Sequence, residues 1–135
     1  MSKAKIHHGW EEIQTFVTHL AEKFENKDIE YVTGPARGGL IPAVLFSHIT
    51  GVPYIHDTQA DKMNPKILWV DDIVDTGHTL LALQRETRWQ TASLYVRSST
   101  MIYPDFAVVE LEGDAWIVYP WEQAEADTIQ DYLKE

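Results

Sequence analysis

Residues 67–80 read I-L-W-V-D-D-I-V-D-T-G-H-T-L, an apolar run that leads directly into three aspartates and a Thr-Gly turn. The four apolar residues at 67–70 predict a strand that is buried on both faces, as the strands of a parallel sheet are. The acidic residues follow where this strand is expected to end and where a loop must turn into a helix. Because ligands of open parallel sheets bind beyond the carboxyl ends of the strands, this stretch predicts both the fold class and a ligand site.

Helical and extended patterns alternate through the first hundred residues. Apolar residues at steps of three and four predict an amphipathic first helix, and Gly51 suits the left-handed end of the second. The predicted helices cover residues 10–24, 40–49 and 79–89, and the predicted strands cover residues 29–34, 52–55, 67–70 and 92–96. This alternation favours an α/β fold with a mainly parallel central sheet flanked by helices.

The pattern changes after residue 100. Two short extended segments, at 106–109 and 116–119, have no helical pattern between them. We therefore expect them to form a small C-terminal hood and not another strand-helix-strand unit. A marginal helix is predicted at residues 123–133.

Composition narrows the class of protein. The chain has 135 residues, which predicts a single domain over residues 1–135. It contains no cysteine, and its start, M-S-K-A-K-I-H-H-G-W, lacks the apolar block of a signal peptide, so a cytoplasmic location is expected. A net charge of −10 argues against a nucleic-acid partner, and no apolar run approaches the length of about 20 residues that spans a membrane.

The acidic turn has the chemistry of a site for ribose 5-phosphate. Asp71 and Asp72 are suited to accept hydrogen bonds from a vicinal diol or to help hold Mg²⁺. The next segment, D-T-G-H-T at 75–79, leads into a helix, and its amides and hydroxyls suit a phosphate monoester. Each aspartate alone is also typical of a solvated loop or a helix cap, but the combined pattern favours the ligand site.

These residues resemble the signature of type I phosphoribosyltransferases, which bind phosphoribosyl pyrophosphate (PRPP). The resemblance implies that Asp71 and Asp72 bind the ribose hydroxyls, directly or with Mg²⁺. It implies that the 5′-phosphate binds to a loop, here called the phosphate loop, formed by Asp75, Thr76, Gly77, His78 and Thr79.

A second segment, G-P-A-R-G-G-L-I-P at 34–42, resembles the pyrophosphate loop of the same family, in the form found in xanthine-guanine phosphoribosyltransferases. Glycines let a backbone approach an anion closely, and arginine supplies a fixed fork of donors to phosphate oxygens. The resemblance implies a cis peptide bond between Ala36 and Arg37. The implied pyrophosphate-binding residues are Ala36, Arg37, Gly38 and Gly39.

A third segment, D-A-W-I-V-Y-P-W-E at 114–122, resembles the purine-binding segment of these enzymes. The resemblance implies that Trp116 stacks on the base and that the backbone at Ile117 reads its edge. Arg97 stands where the family has a lysine that contacts the purine 6-oxo group. An arginine still donates hydrogen bonds to an oxygen, although its donor fork is wider. Trp121 is expected to be structural.

The resemblance as a whole implies a Mg²⁺-dependent pentosyltransferase of the type I fold, acting on PRPP and guanine, xanthine or hypoxanthine. Asp75, beside the base, is the implied group for handling the purine N7 proton, and Arg37 is implied to stabilise the departing pyrophosphate. Members of the family are commonly dimers, so a homo-oligomer is expected, with its interface near Arg37 and the interval at 56–65.

One departure from the family leaves two alternatives open. The family has a long mobile loop where this chain has only ten residues, at 56–65. A loop this short is poorly suited to exclude water from the reaction. The chain is therefore either an enzyme that closes its site by other means or a weakly catalytic or non-catalytic sensor of PRPP or a nucleotide. A transferase for a non-purine acceptor shares every ribose-phosphate residue and is a further alternative.

Overall fold

The computed structural model describes residues 4–122, so the predicted helix at 123–133 lies outside the described residues. Four parallel strands form the central sheet in the order β2-β3-β4-β5, and a separate two-stranded sheet pairs β1 with β6. The elements are β1 (Lys5–His7), α1 (Trp10–Phe24), β2 (Tyr31–Thr33), α2 (Leu40–Thr50), β3 (Ile67–Val74), α3 (His78–Glu86), β4 (Gln90–Arg97), β5 (Phe106–Leu111) and β6 (Trp116–Val118). The predicted α/β fold with a parallel sheet is confirmed.

The two faces of the sheet carry different helices. On one face, Phe46 of α2 packs in a core cluster with Val70 of β3 and with the apolar side of α1. On the other face, Leu80 of α3 packs in a second cluster with Trp69. The neighbouring strands β2 and β3 are thus followed by helices on opposite faces of the sheet. Such a change of direction opens a crevice at the carboxyl ends of the two strands, which is where ligands of open α/β sheets bind.

The central strand is longer than predicted. β3 continues through both aspartates to Val74, because β4 is equally long and pairs with it at Asp71↔Ser93 and Ile73↔Tyr95. The prediction of a strand at 67–70 that ends before the acidic residues was therefore wrong at its carboxyl end. The strict alternation of faces is also interrupted here, since Val70 and Ile73 pack against the same core cluster. The acidic pair thus lies where the side-chain pattern of the strand shifts.

The prediction of the C-terminal hood was correct for the segment at 116–119 and wrong for the segment at 106–109. β5 pairs in parallel with β4, for example at Ala92↔Phe106, so it is the edge strand of the central sheet. Its start is held by Asp105, whose carboxylate accepts a hydrogen bond from the Thr91 amide at 2.8 Å. The hood instead consists of β6 and β1, and β1 was not predicted. The error arose because residues 98–105 return the chain to the amino end of the sheet without a helix, whereas the connection between two parallel strands usually contains one.

The remaining element boundaries agree with the sequence in part. α1 has the predicted bounds, and Gly51 ends α2 in the left-handed conformation with φ 80°. The segment at 52–55 forms only a single parallel bridge, between Tyr54 and Val32. α3 ends at Glu86, three residues earlier than predicted, because Thr87 is extended. None of the helices among residues 4–122 is both long enough and apolar enough to cross a membrane.

The short interval at 56–65, here called the crossover, carries the chain from Tyr54 to the start of β3. It is hydrogen-bonded to residues that precede other strands: the Trp89 indole N–H donates to the Asp61 carbonyl, and the Arg88 amide donates to the Lys62 carbonyl, both at 2.8 Å. The Asn64 side chain donates to Glu30, just before β2, at 2.9 Å. The middle of the crossover is thereby fixed at the amino edge of the sheet, opposite the crevice.

Candidate active site

The pyrophosphate loop packs tightly on the middle of β3, at Val70. A β-carbon added at Gly34 or at Gly39 would lie within 2.6 Å of the Val70 carbonyl oxygen, so only glycine allows this approach at both positions. A β-carbon at Gly38 would lie 2.6 Å from a carboxylate oxygen of Asp72. The loop that the resemblance assigns to pyrophosphate and the acidic pair that it assigns to the ribose are therefore in contact.

The local conformation of this loop agrees with the sequence. The peptide bond between Ala36 and Arg37 is cis, as the resemblance implied. The Gly39 amide donates to the Pro35 carbonyl at 2.9 Å, which closes the turn before α2 begins. Ala36 and Arg37 are exposed at the tip of the loop, where an incoming anion would meet them.

The acidic pair is held by short local hydrogen bonds. The Asp72 amide donates to Asp71 Oδ1 at 2.8 Å, and the Ile73 amide donates to Asp72 Oδ1 at 2.7 Å. From behind, the buried Tyr119 hydroxyl donates to the Asp72 carbonyl at 3.2 Å. Burial, with the neighbouring carboxylates of Asp72 and Asp71, holds the pKa of Tyr119 well above its usual value, so this hydroxyl stays a donor.

The phosphate loop leads directly into α3. Thr76, His78 and Thr79 are exposed, and the His78 amide lies 3.4 Å from the Thr76 hydroxyl. Gly77 has φ 93°, and a β-carbon there would lie 2.6 Å from the Thr100 hydroxyl. The glycine thus allows both a left-handed turn and close packing against the segment after β4. Amides exposed at the start of a helix are suited to bind a phosphate dianion.

Arg97 connects the phosphate loop to the base side of the site. Its Nε lies 2.8 Å from Asp75 Oδ1, and its terminal nitrogens donate to the carbonyls of Gly113 at 3.2 Å and Ala115 at 2.7 Å. The side chain of Arg97 is 8% exposed and that of Asp75 is 25% exposed. Ala115 immediately precedes Trp116, so the residues predicted for proton transfer and for base stacking are joined through one guanidinium group.

The hood is fixed by aromatic residues. Trp121 stacks on Tyr119 at 4.7 Å between ring centroids and an angle of 2°, in agreement with its expected structural role. Trp116 and Ile117 lie in β6, which pairs with β1 at Lys5↔Trp116 and Ile6↔Ile117. Trp116 is partly buried, as a stacking platform with one face toward a ligand would be.

Sequence reasoning missed a buried polar group that attaches the hood to the core. His8 Nδ1 lies 2.7 Å from a Glu12 carboxylate oxygen, and its Nε2 bonds to the Tyr95 hydroxyl. The His8 amide also donates to the Val118 carbonyl at 3.0 Å. Burial, and secondly the charge of Glu12, raises the pKa of Tyr95. The pairing of His8 with Glu12, four residues later, could be predicted from the sequence. The contact of His8 with Tyr95 could not, because the two residues are far apart along the chain.

The crossover takes no part in this site through its middle residues. Lys62 lies 4.0 Å from Glu86 at the end of α3, and both side chains are well exposed. The end of α3 and the middle of the crossover are at the amino edge, so this lysine is remote from the acidic pair. The expectation that the crossover leaves the crevice uncovered agrees with its position.

The donors at the acidic pair fit a magnesium ion that is shared with a ligand. Among residues 4–122, no group of three or more metal-binding side chains lies close enough together to hold an ion. Asp71 and Asp72 supply carboxylate oxygens only, which is the donor type that Mg²⁺ prefers. Magnesium is commonly held by one or two carboxylates together with substrate phosphates and water, and this pair suits that arrangement.

Comparisons with known proteins agree with this geometry. No protein-family model matches the chain. The xanthine-guanine phosphoribosyltransferase of Idiomarina loihiensis is 28% identical over 84% of this chain and 84% of its own. The crystal structure of the purine phosphoribosyltransferase from Pyrococcus horikoshii matches with a TM-score of 0.78 and 29% identity, over 93% of this chain and 99% of its own.

A second solved structure supports the fold alone. The xanthine-guanine-hypoxanthine phosphoribosyltransferase of Helicobacter pylori matches with a TM-score of 0.75 at 19% identity, over 89% of this chain and 93% of its own. The two motif loops meet at the crevice, the sheet has the expected parallel topology, and the relatives match nearly end to end. The chain therefore has the type I phosphoribosyltransferase fold, and in sequence it resembles proteins named xanthine-guanine phosphoribosyltransferase.

Proposed function

We propose that this protein transfers the phosphoribosyl group of PRPP to a 6-oxopurine, guanine, xanthine or hypoxanthine, and releases pyrophosphate. The observation that carries the proposal is the contact between Gly38 of the pyrophosphate loop and the carboxylate of Asp72. It brings the expected leaving-group site next to the expected ribose site, with the phosphate loop on the same edge of the sheet. The names of the relatives supply the class of base.

Each part of the site has a separate task in this reaction. Asp71 and Asp72 accept hydrogen bonds from the ribose hydroxyls, while amides at residues 76–79 bind the 5′-phosphate. As the bond from C1 to pyrophosphate lengthens, an oxocarbenium-like centre develops and a purine nitrogen attacks it. Arg37 and the adjoining backbone compensate the charge on the departing pyrophosphate. The catalytic power of such a site comes from position and preorganised charge.

The base is held on the other side of C1. Trp116 stacks on the purine, the backbone at Ile117 reads its edge, and Arg97 has further N–H groups to offer to an oxygen of the base. The Asp75 carboxylate, held toward the base side by Arg97, accepts the N7 proton of the purine as the new bond to C1 forms. The proton thus passes to a group on the protein as the electron pair of C1–O leaves with pyrophosphate.

Three further expectations belong to the same proposal. Magnesium, held by Asp71, Asp72 and PRPP together, would neutralise charge on the diphosphate. The protein would act in the cytoplasm as a single domain of residues 1–135. It would assemble as a homodimer or a larger homo-oligomer, in which a neighbouring subunit near Arg37 helps to cover the site.

The test is an assay with PRPP, Mg²⁺ and a panel of bases: guanine, xanthine, hypoxanthine, adenine and uracil. We expect nucleotide formation with the 6-oxopurines, and the double variant Asp71→Asn/Asp72→Asn should retain the fold but lose PRPP binding. Transfer to uracil alone would support the non-purine alternative. Unchanged PRPP affinity in the double variant would refute the assignment of the acidic pair.

The position of the crossover favours a second candidate, a sensor that binds PRPP or a nucleotide without efficient turnover. Its middle is bonded to Arg88 and Trp89 at the amino edge and cannot cover the crevice without breaking these contacts. The ratio of nucleotide formed to pyrophosphate released separates the candidates. A ratio near one at an ordinary enzymatic rate indicates a transferase, a low ratio indicates wasteful hydrolysis, and tight PRPP binding without either product indicates a sensor.

A further inference from the structure

Arg97 has a second task that a lysine at the same position cannot perform. We propose that Arg97 is a positioning residue of the base site: it fastens the segment 113–115, and with it Trp116, to the Asp75 carboxylate. The proposal rests on the proposed function, because it concerns how the base-stacking residue and the proton-accepting residue are kept together. It goes beyond a direct contact of residue 97 with the base, which is all that the resemblance implies.

The geometry uses three different nitrogens of the guanidinium group. Nε bonds to Asp75, one terminal nitrogen bonds to the Gly113 carbonyl, and the other bonds to the Ala115 carbonyl. Arginine has five N–H donors in a rigid plane, so these bonds fix the plane in two directions. Only one further N–H on each terminal nitrogen is left for a ligand. The greater part of the donor capacity of Arg97 thus serves the protein itself.

Because Arg97 is buried, these hydrogen bonds are important for its stability. The Arg97 side chain is 8% exposed, and a buried charge is stable only when its donors are paired. Its partners lie 16 and 18 residues along the chain for the two carbonyls and 22 residues back for Asp75. These three contacts join the phosphate loop, the end of β4 and the entry to β6. The Trp116 amide, which shares a peptide unit with the Ala115 carbonyl, donates to the Ala4 carbonyl at 2.7 Å, so the peptide that enters Trp116 is held at both its oxygen and its nitrogen.

A lysine cannot reproduce this arrangement. Its donors all sit on one nitrogen at the end of a flexible stem, whereas the observed bonds leave from three nitrogens in fixed directions. The variant Arg97→Lys therefore keeps the positive charge and a donor for the base but loosens the fastening. Arg88→Lys is a matched control, because Arg88 is exposed at the amino edge and bonds to the Lys62 carbonyl through its backbone amide, which the substitution keeps.

The first test measures the fastening without any ligand. Hydrogen exchange of the peptide that contains residues 110–118 should become about tenfold faster or more in Arg97→Lys, since bonds to a charged group are weakened there. Arg88→Lys should leave it unchanged. Wild-type exchange rates in Arg97→Lys would overturn the proposal.

The second test measures what the fastening does for binding. Titration calorimetry compares inosine 5′-monophosphate, purine riboside 5′-monophosphate, which lacks the 6-oxygen, and ribose 5-phosphate. Arg97→Lys and Arg97→Gln should weaken both nucleotides by the same factor, about tenfold, and change ribose 5-phosphate by less than about twofold. The shared factor is the signature of positioning, because the second nucleotide has no 6-oxygen to contact.

Two results would overturn this role. A loss confined to inosine monophosphate would mean that Arg97 acts by direct contact with the 6-oxygen. A loss that extends equally to ribose 5-phosphate would mean that the whole site has collapsed. If the wild-type protein binds neither nucleotide, the proposed function is refuted, and the exchange measurement decides the fastening of residues 113–115 by itself.

Discussion

The contact between the pyrophosphate loop and the acidic pair makes Gly38→Ala a sharp perturbation. The added β-carbon would lie 2.6 Å from Asp72 Oδ2, and ordinary contact begins near 3.4 Å. The carboxylate would therefore have to retreat by about 0.8 Å. Displacements of about 1 Å in a catalytic constellation cost up to about 10²-fold in rate, or about 2.7 kcal/mol in the transition state. We expect kcat/KM for PRPP to fall by about this factor.

Two other glycines serve as references for this prediction. Gly9→Ala adds a β-carbon with nothing within 4 Å, so activity should be unchanged. Gly34→Ala meets the carbonyl oxygens of Gly39 and Val70 at 2.5 and 2.6 Å. Because backbone cannot rotate away, this variant should lose about 1–3 kcal/mol of folding stability. Gly38→Ala should not, because the displaced group is a partly exposed side chain.

The assay combines steady-state kinetics with urea unfolding of the three variants. Gly38→Ala with wild-type kcat/KM would refute the assignment of Asp72 to the ribose. A loss of activity in Gly38→Ala accompanied by an equal loss of stability would show that the loop has collapsed and that position is not the cause.

Three further predictions concern Thr33, Trp116 and Glu122. Thr33 Oγ1 is buried with no hydrogen-bond partner among the described residues, so Thr33→Val should raise the free energy of unfolding by about 1 kcal/mol in urea titrations; a decrease would contradict this. Trp116→Ala should weaken purine binding by roughly 1–3 kcal/mol in calorimetry and leave PRPP binding unchanged; equal losses would mean that Trp116 only supports the hood. Burial and the charge of Asp72 raise the pKa of Glu122, while the bond from the Tyr119 amide opposes the shift. A carboxyl whose pKa is raised in the folded state contributes stability below pH 4.5, and this stability is lost as pH rises through the folded-state pKa. The melting temperature of Glu122→Gln should therefore exceed that of the wild type at pH 7 but not at pH 4.

The parts of the site that the sequence predicted are those whose chemistry is local. Glycines at 34, 38 and 39 are required where the backbone meets β3, and such requirements leave a readable pattern within a few residues. The acidic turn is read in the same way, because its residue types and its position before a helix are both in one segment. The roles of Asp75, Arg37 and Arg97 in the reaction stay predictions.

The parts that were missed depend on partners far along the chain. β5 has a strand-like sequence, but its place in the central sheet is decided by its pairing with β4 and by the Thr91–Asp105 contact. β1 has only three residues and exists because β6 offers it a partner. Arg97 donates to two backbone carbonyls, at Gly113 and Ala115. Because every residue has a carbonyl, the residue types at 113–115 do not predict this contact. Short elements and backbone acceptors carry little sequence signal.

The anchoring of the crossover at the amino edge determines where this chain would tolerate extra length. Hydrogen bonds of Asn64, Arg88 and Trp89 hold the middle of the crossover. Its first residue, His56, comes after Ile55, whose amide donates to the Val32 carbonyl near the carboxyl end of β2. An insertion before His56 would emerge beside the crevice and leave those bonds intact. Loop entropy rises slowly with length, so doubling the ten residues at 56–65 costs only about 0.6 kcal/mol. Folding stability therefore does not account for the brevity of the crossover, and a grafted flap at this point would isolate the contribution of water exclusion to transfer.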